Sequence, residues 1–224
     1  MKLHTLIFDL DGTLIDSQGD ILDAIRVACR TVERPIESID PSLIGLSIRD
    51  IARALFGDSF DALFPAFEAA FRISYDDRSH ALSHLYPGTI QTLERLTDQG
   101  AVLYLATMKP EKPTGMIVAQ FGLARFFTRW RSSNSWAGAK LGKSGLVARV
   151  IEEERVEKEG AAYVGDHPDD IRAAHAAGLT GIAAMYGYGN KAHIREAKPD
   201  ITISNIVELV NVFAKGNSNY GKGF

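Results

Sequence analysis

The chain has 224 residues, a formal net charge of −3 and 46% hydrophobic residues, and no long block of like charges. This balance is typical of a globular protein and excludes a fibrous or disordered chain, and it argues against a nucleic-acid partner or an anionic membrane surface. A single cysteine, Cys29, excludes an internal disulfide framework and favours a reducing compartment. The first residues show no signal-peptide pattern and no stretch reaches about 18 apolar residues, so we expect a cytoplasmic protein.

The first element is predicted to be a buried strand that ends in carboxylates. Residues 6–8 form a short apolar run, which is typical of a strand in a parallel sheet. Asp9 follows that run directly, Asp11 comes two residues later, and Gly12 permits a sharp turn. An Asp-Gly pair is also an ordinary turn signal, so this stretch alone does not establish a catalytic site. Its interpretation depends on the rest of the chain.

Residues 16–86 read as an all-helical block. Apolar residues recur there at helical spacing, and an aromatic stripe between Phe60 and Tyr75 predicts the core of a helix bundle. A block of this length is too long for a simple crossover between strands, so it predicts a second domain inserted after the first strand. The expected division is a core of residues 1–15 and 87–214, a helical domain of residues 16–86, and a flexible tail of residues 215–224.

From Pro87 onward, helical and strand patterns alternate. The predicted strands cover 101–106, 128–132, 161–164, 182–185 and 201–203. The predicted helices cover 89–99, 111–121, 144–154, 168–178 and 206–213. Such alternation predicts the α/β class, with a Rossmann-like, doubly wound parallel sheet and helices on both faces.

Polar residues follow three of the predicted strands. Thr107 ends one strand, and Asp166, Asp169 and Asp170 follow another, as Asp9 and Asp11 follow the first. Parallel strands bring these ends to one edge of the sheet, where ligands bind in open α/β folds. Two like charges about 4 Å apart repel by about 4 kcal/mol at an effective dielectric constant of about 20, so the cluster needs a cation. Carboxylates without a nearby Cys or His pair favour Mg²⁺.

A magnesium ion at such an edge commonly serves a phosphate group, which needs further donors. The Thr107 hydroxyl and the backbone N–H groups of the first turn can supply hydrogen bonds. Lys109, Lys140 and Lys143 are the candidates for a balancing positive charge. Lys143 is preferred because it precedes the helix that begins at Ser144, with Lys140 as the second choice, and Lys109 is expected at the edge of the entrance.

Together these residues resemble the four ordered motifs of the haloacid dehalogenase-like superfamily. The motifs are Asp9-Leu-Asp-Gly-Thr13, Thr107, Lys143 and Gly165-Asp166-His-Pro-Asp-Asp170. The resemblance extends from Leu6 to about Phe213, and the helical block lies where that superfamily inserts its cap domain. The stretch Leu14-Ile-Asp-Ser17 and the helical cap are most similar to the phosphoglycolate phosphatase-like group.

The resemblance implies a two-step phosphoryl transfer. Asp9 would attack phosphorus to form an aspartyl-phosphate, while Asp11 would protonate the leaving oxygen and later activate water. Mg²⁺ would be held by Asp9, by the backbone carbonyl of Asp11 and by Asp166. Asp170 would support the metal or orient Lys143.

The resemblance also implies where the substrate is bound. Thr107, Lys143 and the backbone of Met108 would bind the phosphoryl group, and Met108 stands where the superfamily more often has a small polar residue. Substrate choice would depend on the cap, in which Arg49 and Arg72 are candidates to pair with a substrate carboxylate. For each arginine alone, an ordinary solvated helix residue is the competing interpretation.

The preferred function is a Mg²⁺-dependent phosphatase acting on a small, phosphoglycolate-like phosphorylated metabolite. The alternatives are a phosphomutase of the β-phosphoglucomutase type and a catalytically silent binding module that kept the fold. No nucleic-acid or membrane partner is expected, and the protein is expected to be a monomer or a homodimer.

Overall fold

The computed structural model describes residues 2–40, 43, 46–138 and 141–218, with the backbone alone described for residues 215–218. The chain forms two compact units. Unit 1 comprises Met1–Ile15 and Leu85–Phe224, and unit 2 comprises Asp16–His84. Each unit has a hydrophobic core of its own.

Unit 1 is built on a parallel sheet, which has six strands within the described residues. The strands are β1 (Thr5–Phe8), β4 (Val102–Thr107), β5 (Arg129–Ser132), β6 (Ala161–Gly165), β7 (Thr180–Ala184) and β8 (Ile201–Ile203). Their order across the sheet is β5-β4-β1-β6-β7-β8. Two short strands, β2 (Ile15–Asp16) and β3 (His84–Leu85), form a separate small sheet.

β1 lies at the centre of the sheet because both of its faces are apolar and covered. Leu6 and Phe8 point into one core layer, whereas Ile7 points into the other, as the two-residue period of a strand requires. All four residues of β1 are buried. β1 pairs with β4 on one side and β6 on the other.

Helices cover both faces of this sheet. The helices α4 (Thr89–Asp98), α5 (Glu111–Gln120) and α9 (Glu208–Ser218) pack on the layer of Leu6 and Phe8. The helices α6 (Lys143–Glu154) and α7 (Pro168–Ala177) pack on the layer of Ile7. The short helix α8 (Lys191–Glu196) follows β7. The predicted doubly wound α/β architecture is therefore confirmed.

Unit 2 is helical in its described part. It contains α1 (Gln18–Thr31), α2 (Ile48–Phe56), a 3₁₀ turn (Gly57–Ser59) and α3 (Phe60–Asp76). The predicted aromatic stripe of α3 forms much of the core, with Phe60, Phe64, Phe67, Phe71 and Tyr75 all buried. Cys29 is buried in the same core, and this burial raises the pKa of its thiol to about 11.

The structure differs from the sequence predictions in a few elements. β2, β3 and α8 were not predicted, because they are too short to show a clear hydrophobic period. α9 continues beyond the predicted end at Phe213 to Ser218, whereas residues 219–224 of the predicted tail lie outside the described residues. Among the residues that the structure describes, no helix has the length and apolar character needed to cross a membrane.

Candidate active site

The candidate site lies where the strand order reverses around β1. The chain passes from β1 to β4 and β5 on one side, then returns to β6 on the other side. Asp9 directly follows β1, Thr107 ends β4, and Asp166 directly follows β6. Because these neighbouring strands are parallel, their carboxyl ends share one edge, where open α/β sheets bind ligands.

Three buried carboxylates meet at this edge. Asp9, Asp166 and Asp170 each offer an oxygen, and these oxygens lie within 4.8 Å of one another. Asp166 and Asp170 are separated from Asp9 by most of the chain, so the fold alone brings them together. Such a cluster of like charges in a buried place calls for cations.

Lys143 supplies one of these cations. Its Nζ lies 2.9 Å from Oδ2 of Asp9 and 2.8 Å from Oδ1 of Asp170. Lys143 is the first residue of α6, which lets its side chain reach the strand ends. The other oxygen of Asp170 accepts a hydrogen bond of 2.9 Å from the backbone N–H of His167 and closes the first turn of α7. Asp170 therefore joins the start of α7 to Lys143.

The protonation behaviour of these acids reflects their burial. Burial and the nearby Asp170 outweigh the opposing effect of Lys143 and raise the pKa of Asp9 to about 6. Burial, together with the charges of Asp170 and Asp9, raises the pKa of Asp166 to about 8. Burial alone would lower the pKa of Lys143, but Asp170 and Asp9 raise it well above its usual range. One ammonium thus leaves negative charge uncompensated.

The donor set fits a divalent cation that prefers oxygen ligands. Oδ1 of Asp9 is buried and has no hydrogen-bond partner within the described part of the chain, although a buried carboxylate oxygen normally has one. A Cβ added at Gly12 or at Gly187 would overlap with the Asp166 carboxylate, so glycines keep the space around that side chain clear. Gly12 also has a φ of +74°, which glycine adopts without strain.

A loop between β7 and α8 holds Asp166. Oδ2 of Asp166 accepts hydrogen bonds from the backbone N–H groups of Tyr188, at 2.7 Å, and Gly189, at 3.2 Å. The Tyr186 hydroxyl in the same loop donates a bond of 2.8 Å to the carbonyl of Thr13. The loop thereby fixes Asp166 relative to the turn after β1. Sequence analysis missed this loop, and its only signal was the alternation of tyrosine and glycine just after a strand.

Lys109 lies elsewhere than the sequence predicted. It was expected at the edge of the entrance, but it is buried, and its Nζ donates to both carboxylate oxygens of Asp11 at 2.8 and 3.0 Å. Its backbone N–H also donates to the Thr107 hydroxyl at 3.2 Å. The chain bends at Met108 and Lys109, between β4 and α5, and the hydrophobic pattern does not reveal such a bend. Met108 has an exposed side chain.

Comparison with known proteins agrees with this geometry. The family model of haloacid dehalogenase-like hydrolases matches residues 6–184. The chain belongs to the haloacid dehalogenase-like hydrolase family. The curated relatives of this hydrolase include Phosphoglycolate phosphatase 1 of Pseudomonas aeruginosa, which is 32% identical over 92% of this chain and 78% of its own length. A Phosphoglycolate phosphatase of Vibrio cholerae is 33% identical over 94% of this chain and 97% of its own length.

A solved structure supports the same grouping. The crystal structure of a predicted phosphoglycolate phosphatase from Haemophilus somnus has a TM-score of 0.82 and 26% sequence identity. It covers 95% of this hydrolase and 98% of its own chain. The hydrolase therefore resembles the phosphoglycolate phosphatase-like group along nearly its whole length. The predicted enzyme class, a phosphoric monoester hydrolase of this superfamily, is confirmed.

The remaining predicted residues of the hydrolase stay predictions. The guanidinium of Arg49 in unit 2 lies 4.4 Å from the ring centroid of Phe64, and Arg72 lies 3.8 Å from the carboxylate of Glu68. Neither contact tests a role in binding substrate. Lys140, the second choice for the phosphate-binding lysine, lies outside the described residues.

Proposed function

We propose that this hydrolase is a Mg²⁺-dependent phosphatase that acts on a small, phosphoglycolate-like metabolite through an aspartyl-phosphate on Asp9. The observation that carries the proposal is the meeting of Asp9, Asp166 and Asp170 with Lys143 at one edge of the sheet. The substrate class is suggested by the names of the relatives, which are phosphoglycolate phosphatases.

The first step transfers the phosphoryl group to the protein. A carboxylate oxygen of Asp9 forms a bond to phosphorus, and the bond from phosphorus to the substrate oxygen breaks. Asp11 donates a proton to that leaving oxygen, and the alcohol product departs. The two hydrogen bonds from Lys109 hold the Asp11 carboxylate in place.

The second step returns the phosphoryl group to water. Asp11 removes a proton from a water molecule, whose oxygen attacks phosphorus. The bond between phosphorus and the Asp9 carboxylate breaks, so that inorganic phosphate is released and Asp9 is restored. The same side chain serves as acid and then as base, which requires it to lie beside the nucleophile; it stands two residues after Asp9.

Several groups of this chain would stabilise the charge that develops during both steps. Asp9, Asp166 and the backbone carbonyl of Asp11 would hold Mg²⁺, which when bound supplies positive charge beside the transferred phosphoryl group. Lys143, the Thr107 hydroxyl and the backbone N–H of Met108 would bind the phosphoryl oxygens. The placement of Lys143 between two carboxylates and the burial of Thr107 support these roles.

We propose that unit 2 acts as the cap that selects the substrate. Its separate helical core supports this proposal, because a unit that is stable by itself can vary without disturbing the α/β core. Arg49 and Arg72 are the proposed partners of a substrate carboxylate. The location in the cytoplasm and the oligomeric state stay predictions from the sequence.

Phosphate release from phosphoglycolate and from a panel of other phosphomonoesters, with and without Mg²⁺, tests the proposal. We expect steady release that requires Mg²⁺ and falls at least about 10³-fold in Asp9→Asn, because covalent catalysis is lost. The matched control is Asp169→Asn, an exposed neighbour of Asp170 that pairs with Arg172. Isomer formation without net phosphate release would favour the phosphomutase, and unchanged activity in Asp9→Asn would contradict the catalytic assignment.

A further inference from the structure

Tyr163 is a buried polar group that the proposed steps leave without a role. It lies on β6, is fully buried, and belongs to the core layer between the sheet and α6. Its hydroxyl donates a hydrogen bond of 2.6 Å to the carbonyl of Ala106. The same hydroxyl oxygen lies 3.3 Å from Nζ of Lys143, which can donate to it. The hydroxyl therefore acts as donor and acceptor at once.

The two partners of this hydroxyl belong to different elements beside the proposed phosphoryl site. Ala106 directly precedes Thr107 at the end of β4, and Lys143 begins α6. A single side chain from a third element thus connects the backbone beside Thr107 to the ammonium of Lys143. Tyr163 thereby links the two groups that would bind phosphoryl oxygens.

Tyr163 also completes the surroundings of the lysine. An ammonium has three N–H donors, and the contacts of Nζ in the described structure are Asp9, Asp170 and the Tyr163 hydroxyl. The two carboxylates attract the ammonium by their charge, whereas the hydroxyl is a neutral acceptor. Nζ lies 5.6 Å from the centroid of the Tyr163 ring, beyond its hydroxyl edge, so the hydroxyl is the part of this side chain that contacts the ammonium. The Tyr163 hydroxyl thus orients the Lys143 ammonium without changing the charge of the site.

We propose that Tyr163 is a positioning residue that holds Nζ of Lys143 in register with Thr107 for binding phosphoryl oxygens. This inference rests on the proposed function, because it assigns Tyr163 a task only if Lys143 and Thr107 bind the phosphoryl group. Tyr163 acts through Lys143. A purely structural tyrosine would affect folding stability but not the affinity for an oxyanion.

The variant Tyr163→Phe removes the hydroxyl and keeps the ring. We expect the inhibition constant of inorganic phosphate to rise about tenfold and kcat to fall by a similar factor, because the ammonium moves toward its two carboxylates. The matched control is Tyr104→Phe, on strand β4, which β1 separates from β6, and in the same core layer. It should leave both constants unchanged. Loss of thermal stability in Tyr163→Phe with unchanged inhibition constant and kcat would overturn the proposal.

A double-mutant cycle with Lys143→Met tests whether the tyrosine acts through the lysine. In the Lys143→Met background, Tyr163→Phe should produce no further loss of phosphate affinity, and an additive loss would overturn the proposal. The cycle also separates the two hypotheses. Unchanged activity in Lys143→Met contradicts the proposed function, whereas an inactive Lys143→Met with Tyr163→Phe behaving like Tyr104→Phe contradicts the positioning role alone.

A structure of the unaltered protein with Mg²⁺ and inorganic phosphate decides the matter if either variant fails to fold. The proposal expects Nζ of Lys143 to remain within about 3.5 Å of the Tyr163 hydroxyl while it also contacts a phosphate oxygen. Separation of the two groups when phosphate is bound would overturn it.

Discussion

The charged residues of the site are held in position by ion pairs as well as by the elements that carry them. Asp11 accepts two hydrogen bonds from Lys109, and Lys143 lies between Asp9 and Asp170. The motifs in the sequence indicated that Asp9 and Asp166 would meet, because each directly follows a buried strand. They could not predict the partner of Asp11, since no short pattern specifies how the chain bends at Met108 and Lys109, between β4 and α5.

Replacement of Lys109 by methionine should impair catalysis without removing the cation site. Lys109→Met removes the two hydrogen bonds that the ammonium donates to Asp11. A hydrogen bond that involves a charged group contributes about 1.5–3 kcal/mol to stability. We expect kcat to fall at least about tenfold, while the Mg²⁺ affinity measured by titration calorimetry stays within about twofold. Lys112→Met, an exposed change three residues later, is the control. Equal kcat in the two variants would show that the Lys109–Asp11 pair has no catalytic role.

The raised pKa of Asp166 predicts how the metal-free protein responds to pH. Between the ordinary pKa of 3.8 and the folded value of about 8, the folded state keeps a proton that the unfolded chain has lost. The free energy of unfolding should therefore fall as pH rises through this interval, by a few kcal/mol at about 1.4 kcal/mol per pKa unit. Asp9, with a pKa raised to about 6, contributes in the same direction.

Urea denaturation in a chelating buffer at pH 5 and pH 8 measures this fall. Mg²⁺ should restore more stability at pH 8 than at pH 5, because metal binding needs ionised carboxylates. In Asp166→Asn, the free energy of unfolding should change much less between pH 5 and pH 8, and Mg²⁺ should increase it much less at pH 8. A metal-free protein that is more stable at pH 8 than at pH 5 would be inconsistent with buried, uncompensated acids.

Among the structural elements of the site, the loop between β7 and α8 is the one whose role the sequence did not predict. Regular strands and helices showed in the hydrophobic periods, and β1, β4 and β6 carry the residues predicted at their ends. The loop has no such period. Its contribution comes from two backbone N–H groups and from glycines that leave room for Asp166, and these depend on three-dimensional approach rather than on residue pattern.

A methyl group placed in this loop should displace Asp166. A Cβ at residue 187 would overlap with the Asp166 side chain and with the carbonyl oxygen of Gly12. We expect Gly187→Ala to weaken Mg²⁺ binding at least about tenfold in titration calorimetry, because the carboxylate and the first turn must both move. The control is Gly115→Ala within α5, where the added atom meets Trp130 at an ordinary 3.6 Å. That change should be neutral or stabilise the helix by about 0.5–1 kcal/mol. Equal Mg²⁺ affinities in the two variants would contradict a holding role for the loop.

At the scale of the whole molecule, the two units have separate cores and the candidate acids all belong to unit 1. The alternation of strands and helices and the interruption by a helical block were both readable from the sequence, because each extends over many residues. The sequence pattern does not predict the substrate in the same way. Arg49 is exposed and Arg72 is half-buried, and at such helix positions sequence periodicity does not separate a binding residue from a solvated one.

The α/β unit should keep its cation site when unit 2 is removed. The chain ends that flank the insertion lie together in unit 1, since the backbone N–H of Tyr86 donates to the carbonyl of Leu14 at 3.1 Å. A chain in which residues 16–84 are replaced by a short Gly/Ser linker should fold and bind Mg²⁺ within about threefold of the full protein. It should also lose discrimination among phosphomonoesters, as judged by kcat/KM across a panel. Retained discrimination would contradict the role proposed for unit 2.

Mass spectrometry of the acid-quenched enzyme tests the central claim most directly. The hydrolase is mixed with Mg²⁺ and its best phosphomonoester substrate, quenched within the first turnovers and digested. We expect a mass increase of one phosphoryl group on the peptide containing Asp9, no such increase in Asp9→Asn, and the unchanged increase in the control Asp169→Asn. A phosphoryl group found on another residue, or rapid turnover with Asp9 unmodified at every quench time, would contradict an aspartyl-phosphate on Asp9.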